Sequence, residues 1–273
     1  MVAPEDVESQ DFLNTLLLAL RLKMEGIVQV LPLRGIPRVK AGDDLVHHIM
    51  KSIKDERLAL QDSDVIVVTQ KVVSKSEGRI VRIDRVRPGK KAIRLADELH
   101  KDPRTVQAIL RESRRIVRKG HGVLIVETKH GFVCANAGID QSNVEEGYLT
   151  LLPEDPDLSA RKIRKRLEAA TGRRLAVVIT DTFGRPWRDG QVDVAIGCSG
   201  LTPLEDLVGT TDPYGHRLRV TQPALVDEIA SASELVMRKH SLTPAAIVRG
   251  VTYRRGYRGV RSIVRERGLD LFR

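Results

Sequence analysis

The chain has 273 residues, enough for one large core, and 41% hydrophobic with 30% charged residues is the balance of an ordinary soluble protein. Two cysteines, Cys134 and Cys198, exclude a disulfide framework or a cysteine-built zinc cluster and suit a cytoplasmic setting, and no apolar run is long enough to span a membrane. The formal charge of +10 points to anionic partners, yet the basic residues are scattered, only 3% of the chain is aromatic and no nucleic-acid motif is present, so a polyanionic small molecule accounts for it as well.

Residues 1–23 start acidic and continue with leucines at 13, 16, 17, 18, 20 and 22, a short amphipathic helix. They lack the basic start and small-residue cleavage site of a signal peptide, and Met24 is a second candidate start, so residues 1–26 read as an extension and 27–273 as a single domain. A strand is expected over 27–33, followed by a turn at Arg34-Gly35-Ile36-Pro37, and Gly42-Asp43-Asp44 caps a helix running to about Lys54. Residues 64–69 (D-V-I-V-V-T) form a buried strand that feeds a polar, basic segment over 70–79. Lys71 and Lys75, four apart, share a face if that segment is helical. Lysines and serines directly after a buried strand suit a phosphate; a solvated basic turn is the blander alternative. Helices are expected over 90–100 and 103–118, the second capped by Asp102 with Pro103 at its first position. Arg111, Arg114, Arg115 and Arg118 would make its outer face strongly basic, with no role assigned.

Residues 123–128 (V-L-I-V-E-T) are another buried strand. In the stretch 132–143 that follows, Ala135, Ala137 and Gly138 let the backbone pack closely, and Asp140 and Asn143 can reach into a tight space. Asp140 is then a candidate carboxylate ligand, against an Asx-turn before a helix. A helix over 156–172 carries Arg161, Lys162, Arg164, Lys165 and Arg166 outward. Residues 175–191 (L-A-V-V-I-T-D-T-F-G-R-P-W-R-D-G-Q) organise the chain: a buried strand ends at Asp181 and Thr182, followed by a turn with Gly184 and Pro186. A carboxylate and a hydroxyl beside Arg185 and Arg188 suit a metal ion and a phosphate; an Asp-capped turn is the alternative. Strands over 192–198 and 245–251 and a helix over 223–239 complete the pattern, with turns over 201–216 and a basic tail from Tyr253.

Strands and helices mix without a clean βαβ repeat, so the fold class expected is α+β, a mixed sheet with flanking helices. Phosphate-loop, dinucleotide and nucleophile-elbow fingerprints are absent. The histidines read as structural. The remaining Asp/Asn/Thr clusters and Lys/Ser segment suit oxygen-ligated Mg²⁺ or Mn²⁺ and phosphate chemistry.

L-P-L-R-G-I-P at 31–37, T-Q-K-V-V-S-K-S-E-G-R at 69–79, D-P-R…L-R-E-S-R at 102–114, E-T-K-H-G-F-V-C-A-N-A-G-I-D-Q-S-N at 127–143, T-D-T-F-G-R-P-W-R-D-G-Q at 180–191 and D-L-F-R at 270–273 occur in one order. Together they resemble the coenzyme F420-0:L-glutamate ligase (F420 γ-glutamyl ligase) family, from about residue 27 to the end. The resemblance implies an unusual α+β fold and a homodimer. It also implies a GTP-dependent enzyme that adds L-glutamate to coenzyme F420-0, a deazaflavin with a phosphodiester-linked lactyl group, and extends a γ-linked tail. By motif, Asp140, Asp181 and Thr182 are the implied metal ligands, for one or two Mg²⁺ or Mn²⁺ ions, with K⁺ as a further candidate ion. Leu31, Pro32, Leu33, Arg34, Gln70, Lys75 and Asn143 are the implied GTP contacts. The chain departs from the family pattern at 237–244 (M-R-K-H-S-L-T-P), where a glycine-containing, often acidic loop is usual; the positive charge of this loop, Lys239 included, can itself contact phosphates. From their chemistry, Arg185 and Arg188 are candidates for gripping a substrate carboxylate or phosphodiester. The rival readings are a metal-dependent phosphohydrolase using the same aspartates and a basic nucleic-acid-binding module.

Overall fold

The computed structural model describes residues 26–142 and 144–271. The helix expected over 1–23, and Asn143, lie outside the described residues.

A mixed five-stranded sheet forms the centre. Its strands are β1 (Gln29–Leu33), β2 (Val65–Thr69), β8 (Ala176–Arg185), β9 (Arg188–Ser199) and β10 (Ala245–Arg249), in the order β1-β10-β2-β8-β9. Only β2 and β8 pair in parallel. Alternation along the inner strands sorts side chains into two cores, as the period-two pleat requires. Ile66, Val68, Val177, Ile179 and Ile247 pack on one face, and Val65, Val67, Ala176, Val178, Ala246 and Val248 on the other. The uninterrupted Val/Ile runs read from the sequence are therefore strands buried on both sides.

On the first face lie α1 (Leu45–Asp55), α2 (Gln70–Ser76) and α5 (Pro156–Thr171), which supply Ile49, Val73 and Leu167 to that core. On the second lies α6 (Leu225–Met237), through Val226 and Ile229. Asp44 caps α1 as expected, accepting from His47 N–H at 3.0 Å; Asp155 caps α5, accepting from Leu158 N–H at 2.9 Å, and left-handed Gly172 ends it. β3 (Ile80–Arg82) pairs with β7 (Tyr148–Thr150). A small third core joins α3 (Lys90–Leu99) and α4 (Pro103–Arg111) to β5 (Val123–Thr128), the middle strand of a sheet between β4 (Ser113–Gly120) and β6 (Val133–Ala135).

Three expectations need correction. Arg164, expected on the outer side of the helix over 156–172, is 8% exposed and donates to Ser199 Oγ at 3.0 Å and to Glu168 at 2.5 Å. The helix expected over 103–118 stops at Arg111, and Ser113–Gly120 is β4, antiparallel to β5. Ile116 and Val117 favour a strand, and the pairing lets Arg115 meet Glu127 at 2.8 Å across the ladder. The run of arginines is thus split between a helix end and an edge strand. The strand expected to end at Asp181 and Thr182 continues to Arg185 and folds into a hairpin with β9. Its turn is Pro186-Trp187, with Trp187 at φ 59° and 79% exposed.

Candidate active site

The topology gathers the implicated segments at one edge. β1, β2 and β8 all run toward it, and β9 and β10 start from it. Arg34 follows β1, Gln70 follows β2, and the 238–244 segment leads into β10, docked where Thr69 N–H donates to the Pro244 carbonyl at 2.9 Å. Pairing of β2 with β8 ends at Thr69 and Thr180, so Asp181 is the first residue of β8 beyond its parallel neighbour. A ligand crevice at strand carboxyl ends is the usual result of such a layout.

Asp140 reaches this edge by a strained route. Asn136, Ala137 and Gly138 have φ of 52°, 58° and 68°, three consecutive left-handed residues. A side chain on Gly138 would come within 2.7 Å of Leu152, so glycine is required there twice over. Left-handed backbone at the two non-glycines costs on the order of 1 kcal/mol each, strain of the kind found at functional sites. It delivers Asp140 to a two-bond bridge with Thr150, which locks its backbone. The Asp140 carboxylate accepts from Ser142 N–H at 2.6 Å and Ser142 Oγ at 2.9 Å, an Asx-turn, and pairs with Lys71 Nζ at 2.5 Å. No helix follows. Burial works to raise the Asp140 pKa, but Lys71 and Ser142 outweigh it and hold it below the ordinary carboxylate value.

Asp181 has no such company. Burial pushes its pKa up to about 7; the Thr182 backbone N–H and the Lys71 charge oppose that, while Asp193 and Asp140 add to it. Asp140, Asp181 and Lys71 therefore lie within one another's electrostatic reach. Nearby Cys134 is pushed up to about 12 by burial and by the Asp181 charge, which keeps it a neutral thiol. Lys71 and Lys75 do share a face of α2, as their spacing predicts, and the Lys75 pKa is lowered by burial and by the charges of Lys71 and Arg38. Gln70, 1% exposed, accepts from Ser74 Oγ at 2.9 Å, and its buried Nε2 has no partner among the described residues.

Thr182 is turned the other way. β8 alternates, so Thr180 and Thr182 point to the α6 face while Asp181 points with Phe183 to the opposite one. Both hydroxyls donate to the buried carboxylate of Asp193, Thr180 at 3.0 Å and Thr182 at 2.7 Å. Glu234 on α6 feels this face: burial raises its pKa, Asp193 adds to that and Lys239 counters it. Lys239 Nζ donates to Gln191 Oε1 at 3.4 Å.

Pro32 and Arg34 line an open cavity of about 680 Å³ together with Leu235, Arg238, Leu242 and Thr243. The fold thus joins the 31–34 motif to the basic 238–243 segment. Leu33 is fully buried and offers only its backbone; Leu31 packs against the first core. Arg185 and Arg188 pair across the hairpin tip, about 13 Å along the strand from Asp181, and are not brought to the Asp140–Asp181 pair. Arg185 Nη2 donates to the Asp189 carbonyl.

Among the described residues no group of three or more His, Cys, Asp or Glu forms a metal cage. Two carboxylates on one face remain a fitting donor set for a hard ion that keeps several waters and takes substrate phosphates as its other ligands. The raised Asp181 pKa is the observation that favours such an ion, since a half-buried carboxylate with no ion pair among the described residues is what a divalent cation would relieve.

A model of the F420-0:gamma-glutamyl ligase family matches residues 35–250. The chain belongs to this family. Its relatives include the coenzyme F420:L-glutamate ligase of Methanothermobacter thermautotrophicus, 46% identical over 90% of this chain and 99% of the relative. Enzymes of the same name from Methanopyrus kandleri (46% identical, 86% of this chain and 94% of the relative) and Archaeoglobus fulgidus (44%, 82% and 88%) match as well. The mixed α+β architecture agrees with that membership.

Several residues at this ligase-family site escaped sequence reasoning. Lys71 was visible as a helix-face lysine but not as the partner of Asp140. Asp193 was legible only as a carboxylate inside an alternating strand, V-D-V-A-I, where a charge at an inward position is the signal. Arg38, next to Lys75, carried no sequence signal.

Proposed function

We propose that this family member is a GTP-dependent ligase that joins L-glutamate to the lactyl carboxylate of coenzyme F420-0 and extends the γ-linked tail. The observation that carries the reading is the convergence of Asp140 and Asp181, from segments about forty residues apart, beside Lys71 and Lys75 at one sheet edge. The names of the relatives support the acceptor and the amino acid.

Amide formation from a carboxylate and an amine is uphill at neutral pH, so the carboxylate must be activated. In the proposed sequence a carboxylate oxygen of the acceptor attacks the γ-phosphorus of GTP and GDP leaves, giving an acyl phosphate. The glutamate amine then attacks the acyl carbon, phosphate departs and the amine nitrogen loses a proton. A divalent ion, Mg²⁺ or Mn²⁺, would be held by Asp140 and Asp181, and when bound it supplies neutralising charge for the transferred phosphoryl group. The rest is done by the chain. Lys71 and Lys75 hold positive charge beside the aspartates, and the buried Gln70 Nε2 offers a donor to a phosphate or base oxygen. The cavity between Pro32, Arg34 and the 238–243 segment is large enough to seat the nucleotide, with Arg238 on its wall to meet the phosphates. Thr182 keeps its hydroxyl oxygen on the Asp193 side, where a second ion or the Lys239 charge would meet it.

The test is direct. Enzyme is incubated with GTP, Mn²⁺, L-glutamate and the deazaflavin acceptor, with phosphate release and product mass followed together. A ligase releases phosphate only when both acceptors are present and yields a deazaflavin heavier by one glutamyl residue. Phosphate release without either acceptor would instead mark a phosphohydrolase using the same aspartates.

A further inference from the structure

Beyond Thr180 the central sheet narrows to two strands. β2 pairs with β8 only as far as Thr69 and Thr180, so residues 181–192 stand out from it as a β8–β9 ribbon closed by Pro186-Trp187. A two-stranded ribbon is marginal in water on its own. This one is anchored short of its tip: the Phe183 ring meets Phe132 edge-on at 6.4 Å, and Gln191 Oε1 accepts from Lys239 Nζ at 3.4 Å. At the tip, Arg185 Nη2 donates to the Asp189 carbonyl. A side chain on Gly190, at φ 84°, would come within 3.4 Å of the same nitrogen. The arginine is thus folded across the turn and braces it.

The turn displays an unexpected residue. The register pairs Arg185 with Arg188 and leaves two residues between them. A proline followed by a residue at positive φ is the pattern of a type II turn, whose second central position ordinarily falls to glycine. Here that position holds tryptophan, the bulkiest side chain of all, at φ 59°. Left-handed backbone costs on the order of 1 kcal/mol in a residue with a Cβ. Little burial offsets it, because Trp187 is 79% exposed. Strain of this kind, spent on holding an indole out from the protein, fits a ligand contact.

Position points to the ligand. Asp181, on which the proposed ion and the reacting carboxylate would meet, is the first residue of the ribbon, and Arg185 lies four residues on, about 13 Å at strand rise. In the acceptor of the proposed reaction, the lactyl carboxylate and the fused ring stand at opposite ends, joined through the phosphodiester and a sugar-alcohol chain. The path is about ten bonds, which in an extended chain, at about 1.2 Å each, reaches about 12 Å. The two spans match.

We propose that Trp187 stacks on the fused ring of the acceptor while the acceptor's carboxylate lies beside Asp181, so that the hairpin tip selects acceptors carrying a flat aromatic group. The inference rests on the ligase reading. An indole offers a wide π face to a heteroaromatic ring, a contact that needs no hydrogen bond.

The chain has one tryptophan, so a ¹⁵N spectrum of the enzyme contains a single indole N–H resonance, and it reports on the tip alone. Titration with the deazaflavin acceptor, without GTP, should shift that resonance, whereas a lactyl phosphodiester of a simple alcohol, which lacks the ring, should leave it in place. A resonance unmoved at saturating acceptor overturns the proposal. Kinetics with GTP, Mn²⁺ and L-glutamate give the second test. Trp187→Ala should raise the acceptor KM about tenfold or more, with kcat and the GTP KM unchanged, and Trp187→Phe should recover most of the loss. With the ringless acceptor, wild type and Trp187→Ala should have equal KM. An acceptor KM within twofold of wild type in Trp187→Ala overturns the proposal. So does an equal loss with the ringless acceptor, which would make the tip a structural or subunit contact. A wild-type enzyme that makes no glutamylated product sinks the ligase reading instead.

Discussion

The two faces of the β8–β9 hairpin carry one carboxylate each, buried at Asp193 and half-buried at Asp181, and the two are treated differently. Asp193, 2% exposed, receives a hydroxyl hydrogen on each oxygen, from Thr180 and Thr182. Asp181, one residue from either threonine, receives, among the described residues, the backbone N–H of Thr182 and is pushed up to about 7. Two hydrogen bonds complete the first carboxylate within the protein. The second is left short of positive charge, which an external cation can supply. A strand that alternates faces can thus make a structural acid and a ligand-seeking acid from adjacent positions, and the donors opposite each decide which is which.

Substitutions at the two positions should part company. The largest effect is expected from Asp181→Ala, which removes half of the proposed ion site: turnover with GTP and Mn²⁺ should fall by about a hundredfold or more. Near-normal turnover would remove Asp181 from the chemistry. Next in size is a stability effect of Asp181→Asn in metal-free enzyme. The folded pKa of Asp181 is raised above its unfolded value of 3.8, so the wild-type residue costs nothing below that pH. Its cost grows as the pH rises toward 7 and is constant above. Asp181→Asn should therefore gain melting temperature over wild type between pH 4 and 7, by up to about 1.4 kcal/mol per pH unit, less what residual solvent access screens. A gain that is flat with pH would mean the carboxyl is not perturbed.

Asp193→Asn should go the other way. An amide oxygen replaces one acceptor, but the NH₂ cannot accept from the second threonine, a loss of about 1–2 kcal/mol and a few degrees of melting temperature. Stabilisation at position 193 would erase the contrast between the faces. The smallest effect is expected from Lys71→Met. Lys71 supplies to Asp140 the charge that a metal ion would otherwise supply, so Mn²⁺ should bind the metal-free variant several-fold more tightly, as read from free-Mn²⁺ EPR amplitude. Weaker binding would show that Lys71 supports the ion instead of competing with it.

Much of the molecule was legible in advance because local physics decides it. The Val/Ile runs of the central sheet became doubly buried strands, Asp44 and Asp102 cap their helices, and Pro103 and Gly172 stand at a helix start and end. The family blocks at 127–143 and 180–191 lie where the acidic pair is found. Local signals failed where pairing outvoted propensity: 113–120 became a strand because β5 offered a partner, and β8 ran past Thr180 because β9 folded back on it. Spacing alone could not tell that Lys71 pairs with Asp140, nor that Arg185 and Arg188, near Asp181 in the chain, project to a distant hairpin tip.

Most element identities, the caps at Asp44 and Asp102 and the residue types available for chemistry are therefore properties of the sequence, since they depend on neighbours within a few positions. Which carboxylate is satisfied and which is left wanting a cation belongs to the tertiary structure. Burial, the opposing donor and the face of the strand are set by segments that lie from ten to more than a hundred residues away.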